Sequence, residues 1–252
     1  MALFGFYLLL MYMLGYSYEH WKVEELLFYF SAPIGFLMPL FSSLFFGAEY
    51  SDGTMRNKLI VGHSRESIYL AALMTNIAVA FLMCFASLIP VMLLGIPIMG
   101  EPGLSAGCVL LMLLGSFLTA ATFASFSTLL SLCCSSKTVA LAIGVILVLV
   151  LFFFSGILSG VLAERIYPDE LDGLWSTEVE DILVFYDELP YRVQGAARVW
   201  TQFWYDISPT GQLIQYASCS TETLWQKPIY SIITILLTTR VGLRWFQRKD
   251  IK

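Results

Sequence analysis

GAEYSDGTMRNKLIVGHSRESIYLAAL, residues 47–73, is a polar insert between two apolar runs, and its reading decides the fold. Asp52-Gly53 is a turn signal, and Gly62 is a stop for a short helical stretch holding Arg56, Lys58, Leu59, Ile60 and Val61. Ser64 then suits the N-cap of a helix that runs on into the next apolar run. The pattern fits a small amphipathic helix lying on a membrane surface, with Leu59, Ile60 and Val61 toward lipid or a partner groove and Arg56 and Lys58 toward headgroups or acidic side chains.

Working outward, apolar runs occupy residues 1–16, 27–48, 68–99, 104–132, 138–163 and 229–246. A bilayer core needs about 20 apolar residues per helix, so six spans are expected, the first of them short. Of the 252 residues 58% are hydrophobic and only 13% charged, with mean hydropathy +0.75. A soluble domain carries about 25% charged residues, so a water-facing enzyme of this size is excluded. The expected architecture is an all-α integral membrane protein. Residues 1–163 hold five transmembrane helices and the polar insert's helix near 49–63, residues 164–228 form an extracellular helical loop, and residues 229–252 form the last span with a basic tail.

The few charges orient this topology. With both termini in the cytoplasm, the inner segments hold Arg56, Lys58, Arg65, Lys137, Arg240, Arg244, Arg248, Lys249 and Lys252 against Glu49, Asp52, Glu66 and Asp250, a balance of +5. The outer side holds Lys22, Arg165, Arg192, Arg198 and Lys227 against the other fifteen acids, or -10, and the two make the net -5. The opposite orientation would violate the positive-inside bias. Arg240 and Arg244 interrupt the last run, which reaches across only if both snorkel toward headgroups.

Within the outer loop, residues 176–189 read as an amphipathic helix ended by Pro190. Trp21, Trp175, Trp200, Trp204 and Trp225 all fall on the expected outer side, where an aromatic belt anchors a protein at the interface. Gly156-xxx-Gly160, and the small-residue face Gly115, Ser116, Thr119 and Thr122, are expected to let helices approach closely.

Several chemistries are disfavoured. The five cysteines form no CxxC and have no neighbouring histidine, so neither a disulfide framework nor a zinc site is expected. Apart from Arg240 and Arg244 the spans hold no ionisable side chains of the kind ion or proton coupling requires. His20 and His63, the only histidines, lie outside the spans, which leaves Ser155 and Ser159 without an activating base. There is no G-x-x-x-x-G-K-[ST], so ATP energy must come from another chain. No metal site, bound cofactor or nucleic-acid partner is expected.

The run E-Y-S-D-G-T-x-R-N-K-L-I-V-G-H-S-R, following the second of six spans, resembles the intracellular coupling segment of ABC-2 type transporter permeases, and the stretch SPTGQ at residues 208–212 fits the same family. The resemblance implies a half-transporter that pairs with a second permease subunit, identical or not, and docks its inner helix on a separate cytoplasmic ATP-binding subunit that holds ATP and Mg²⁺. It further implies that Glu49, Asp52, Gly53, Thr54, Arg56, Asn57 and Lys58 transmit motion rather than catalyse. Export of an apolar or amphipathic cargo (peptide, lipid-like molecule or drug) is the expected function, since the spans lack charge. A non-transporting membrane sensor or assembly factor with an acidic outer loop is the alternative.

Overall fold

The computed structural model describes residues 27–28, 31–99, 103–134, 136–164 and 191–249. The first expected span, the helix expected over 176–189, Trp21 and Trp175 lie outside the described residues. Helix α1 (Ser31–Ser51) leads through a turn into the short α2 (Thr54–Ile60), and α3 (Arg65–Pro90) carries the chain away again. A π-helical turn at Val91–Gly95 and a last α-turn at Ile96–Met99 extend α3. The widening sits between Pro90 and Pro97, two residues that offer no N–H to the ladder and crowd the carbonyl four residues back. Then follow α4 (Ala106–Cys133), α5 (Lys137–Ala163), α6 (Gly195–Ile207), α7 (Pro209–Ala217) and α8 (Gln226–Arg248).

Four of these helices are long and apolar enough to cross a membrane: α3 with its π turn, α4, α5 and α8. The second expected span corresponds to α1, 21 residues long, which is not among the four. Four of the six expected spans thus have such a helix as their counterpart among the described residues, and the first of the six lies outside them. Trp225, the N-cap of α8, and Trp245 near its end are both exposed and 20 residues apart, a rise of about 30 Å, close to the thickness of a hydrocarbon core. Arg244 adjoins Trp245, and Arg240 lies about 7 Å deeper, within reach of a headgroup layer for an exposed side chain.

Helix α4 is the hub, packed by α8, α1 and α3. Its buried face is mostly small: Gly115, Ser116, Thr119, Ala120, Ala121, Thr122, Ala124, Ser125 and Thr128. Small side chains let neighbouring backbones come close, which is how helices pack where lipid supplies no hydrophobic drive. Thr119, Thr122 and Thr128 return their hydroxyls to carbonyls four residues back, at 2.9, 3.0 and 2.7 Å, so these three side chains find acceptors within the helix itself. Asn76 on α3 donates to Thr128 at 2.6 Å, and Ser125 shares a 2.5 Å bond with Thr238 on α8.

Among the described residues nothing comes within 4 Å of a Cβ built at Gly156 or Gly160, where a close helix approach is expected. On the same helix it is Gly144 that meets a neighbour, Pro39 of α1.

Candidate functional site

The bundle has two polar ends. At one, α1, α2 and α3 meet the last turns of α4 and α8. Gly53 adopts φ 69°, a left-handed conformation that costs glycine little, and turns the chain from α1 into α2. Asp52 is exposed in that turn, with its N–H donating to Ala48 C=O at 2.8 Å. Thr54 Oγ1 donates to Glu49 C=O at 2.8 Å, and Lys58 Nζ donates to Glu49 Oε1 at 2.7 Å, tying α2 to the end of α1.

The exit from α2 is closed as the sequence indicates. Gly62, at φ 101°, donates to Leu59 C=O at 3.0 Å, and His63 donates to Lys58 C=O at 3.1 Å, the two bonds of a Schellman cap. Ser64 then caps α3, its Oγ accepting from Ser67 N–H at 3.1 Å.

Seven residues cannot hold a helix by themselves, and α2 is held by two side chains one turn apart. Met55, 1% exposed, enters a cluster with Phe46, Ile68, Tyr69, Leu132 and Phe246, and Leu59 packs against it. The opposite face is open: Arg56, Asn57 and Ile60 are exposed, Ile60 at 71%, and Val61 follows at 79%. Apolar side chains this exposed, beside a guanidinium and an amide, offer a docking surface. A cavity of about 310 Å³ lies beneath α2, lined in part by Phe46, Glu49, Met55, Lys58, His63 and Ile68.

Of the seven residues expected to transmit motion, Glu49, Thr54 and Lys58 are linked to one another, Asp52 and Gly53 form the turn, and Arg56 and Asn57 face outward. Sequence reasoning assigned no part to Arg65 or Tyr50. Tyr50 OH donates to Leu132 C=O at 2.8 Å, and burial pushes its phenol well above the ordinary tyrosine range, so it remains a donor at neutral pH. Lys249 Nζ lies 4.3 Å from the Tyr50 ring centre and donates to Leu132 C=O at 2.9 Å. Arg65 donates to the carbonyls of Phe246 and Gln247, both at 3.1 Å, and of Lys249. A signal for it was present: a cation at the first position of a helix opposes the helix dipole, so its place needs another reason.

The other end gathers what was expected to be part of a loop. Of residues 164–228 the described part contains α6 and α7, which pack on α4, α5 and α8. The SPTGQ stretch is buried there because its polar atoms find partners in the spans. Gln212 makes all four of its side-chain bonds. Its Oε1 accepts from Ser231 at 2.7 Å and, at 2.8 Å, shares the Thr119 hydroxyl proton with Gly115 C=O, and its Nε2 donates to the carbonyls of Asp206 at 2.8 Å and Lys227 at 3.2 Å. Ser155, Ser208 and Thr210 form a hydroxyl triangle with sides of 2.7–3.0 Å. Ser155 is thus spent on packing α7 to α5.

Trp200 and Trp204 of α6 are exposed one turn apart. Its Asp206 is buried and accepts from Gln202 at 2.8 Å and Gln215 at 3.0 Å. Arg192 donates from its backbone to Glu164 C=O at 2.9 Å and pairs with the Glu164 carboxylate.

The two ends are thus joined by apolar helices, with an exposed short helix at one and a satisfied polar brace at the other. No curated protein matches the chain significantly. A model of the ABC-2 type transporter family matches residues 1–161, which include α1 to α4, most of α5 and the whole polar insert. That family comprises membrane permeases of ABC transporters, components that are not themselves catalytic. With that match over more than half its length, and four helices able to cross a bilayer, this multi-pass membrane protein belongs to the ABC-2 type transporter family.

Proposed function

We propose that the chain is the membrane-spanning subunit of an ATP-driven exporter, with α2 as the helix that docks on a separate ATP-binding subunit. The observation that supports this reading most is the two-faced character of α2. Met55 and Leu59 root it in the junction of α1, α3, α4 and α8, while Arg56, Asn57, Ile60 and Val61 are presented together on the free side. A helix rooted in the bundle and open to a partner can pass on a movement, provided that the partner holds it differently with and without ATP. In this reading α2 lies in the cytoplasm, a second permease subunit completes the pathway, and ATP and Mg²⁺ belong to the partner.

Glu49, Asp52, Gly53, Thr54 and Lys58 then set the angle at which α2 leaves α1, and Arg56 and Asn57 meet the partner. The proposed cargo is apolar or amphipathic, such as a hydrophobic peptide, a lipid-like molecule or a drug, because outside the cations of α8 the middles of the spans offer hydroxyls rather than charges to strip an ion of its water. Purification of the tagged chain in lipid tests the proposal. An ATPase is expected to copurify and turn over ATP, and Arg56→Ala is expected to weaken its retention roughly tenfold, the loss of one interfacial cation. A chain that stays alone under the same conditions favours the non-transporting sensor.

A further inference from the structure

The route by which a movement of α2 would spread is visible in its neighbours. Only Val61, Gly62, His63 and Ser64 separate α2 from Arg65, and this link is stiffened by the Schellman cap and by the Ser64 cap. Arg65 gathers the carbonyls of Phe246 and Gln247 in the last turn of α8 and of its C-cap Lys249, where the helix ladder runs out; Phe246 C=O also accepts from Lys249 N–H at 3.3 Å. Glu66 accepts from Gln247 Nε2 at 2.7 Å. One turn on, Tyr69 packs on Phe246 with ring centres 6.2 Å apart, and its phenol sits where a Cβ on Gly242 would stand. The first turn of α3 is thus attached to α8 by one charge-assisted clasp, one amide bond and one ring-on-glycine contact. Helix α8 in turn packs along α4 and donates from Ser231 to Gln212 at the far end.

We propose that Arg65 is a positioning residue that makes the end of α8 follow α2, so that a displacement at the docking helix is delivered to the last helix as well as to α1 and α3. All three carbonyls converge on Nη1, at the far end of a planar guanidinium, and a lysine ammonium in the same place stops one bond short of that position and reaches fewer of them. The source of the displacement rests on the proposed docking role of α2; the linkage itself does not.

Amide hydrogen exchange on the full chain in lipid nanodiscs, without any partner, tests the linkage in a double-mutant cycle. Lys58→Ala removes the ion pair between α2 and Glu49, leaving the Thr54 bond to Glu49 C=O, and touches nothing on α8. In the native background it is expected to speed exchange in the last turn of α8, residues 244–249, by about threefold or more, a local loosening. In an Arg65→Ala background, where that turn is already released, Lys58→Ala is expected to add nothing. An equal effect of Lys58→Ala in both backgrounds, or none in the native one, overturns the proposal. Arg65→Lys repeats the cycle with the positive charge kept, and the same loss of dependence is expected; a cycle unchanged from the native one again overturns it. A missing ATPase in the purification would sink the exporter reading and leave this result standing.

Discussion

The two ends of the bundle solve the same problem, fastening a short helix to long apolar ones, by different means. At the α7 end the fasteners are buried amides and hydroxyls, and Gln212 uses every donor and acceptor it has. At the α2 end they are charged groups at the rim: Lys58 on Glu49, Arg65 on helix-end carbonyls and Lys249 over Tyr50. A buried, saturated network is costly to open because each freed group is left without water. Rim charges lose little on parting, since water replaces the partner. The α7 end is therefore a brace and the α2 end a joint, which suits a protein that receives its movement at α2.

Breaking the brace should have the largest effect. Gln212→Leu strands the Asp206 carbonyl and the Ser231 hydroxyl and removes the second donor to Lys227 C=O, and a loss of about 3 kcal/mol is expected in a denaturant titration in bicelles. A loss under 1 kcal/mol would mean that the network is not what fastens α7. The next effect compares the ends directly, because each holds a tyrosine against a glycine, Tyr216 on Gly115 and Tyr69 on Gly242. Alanine at either glycine meets the phenol, and overpacking costs about 1–3 kcal/mol. Gly115→Ala is expected at the upper part of that range, because Tyr216 is hemmed in by α4 and by the Lys227 ammonium 5.5 Å from its ring. Gly242→Ala is expected lower, since the joint can yield.

What the sequence made legible was local. The Asp52-Gly53 turn, the Gly62 stop and the Ser64 cap each depend on one residue's own conformational preference, and each is found in place. Four apolar runs became helices able to cross a bilayer, because twenty apolar residues need no partner to declare themselves. Gln212 and Arg65 escaped for the opposite reason. Gln212 reaches Thr119, 93 residues away, and Arg65 reaches Phe246, 181 residues away, so neither role has a signature in its own neighbourhood. The stretch 191–217 is expected within a helical outer loop and is helical, yet its polarity is internal: Ser208, Thr210 and Gln212 are turned toward hydroxyls on α4, α5 and α8.

A pH titration separates the brace from the joint more finely. Burial raises the Asp206 carboxyl above its ordinary 3.8, against hydrogen bonds from Gln215, Thr223 and Gln202 and the charge of Lys227. The folded chain then holds this proton more tightly than the unfolded one. Asp206 therefore favours folding most at pH below about 4, and its contribution declines as pH rises through the raised value. Denaturation midpoints of the native chain should fall over that window relative to those of Asp206→Asn. Parallel profiles would place Asp206 in contact with water and open the brace.

The smallest effect is expected where the proposed function is greatest. Glu49→Gln keeps the shape of the side chain and removes the ion pair with Lys58, whose side chain is 40% exposed. Exposed pairs contribute about 0.2–1 kcal/mol, so global stability should scarcely change. Only one bond of the α2 junction is charged in this way. Thr54 still donates to Glu49 C=O, Met55 remains in its cluster, and the caps at Gly62 and Ser64 are backbone and hydroxyl bonds. The substitution should therefore free the angle of α2 without unfolding it, which is what a joint permits and a brace does not. If Glu49→Gln cost as much as Gln212→Leu in the same titration, the ends would be equally rigid, and a movement received at α2 would have to pass through the bundle as one body rather than through a hinge at Gly53.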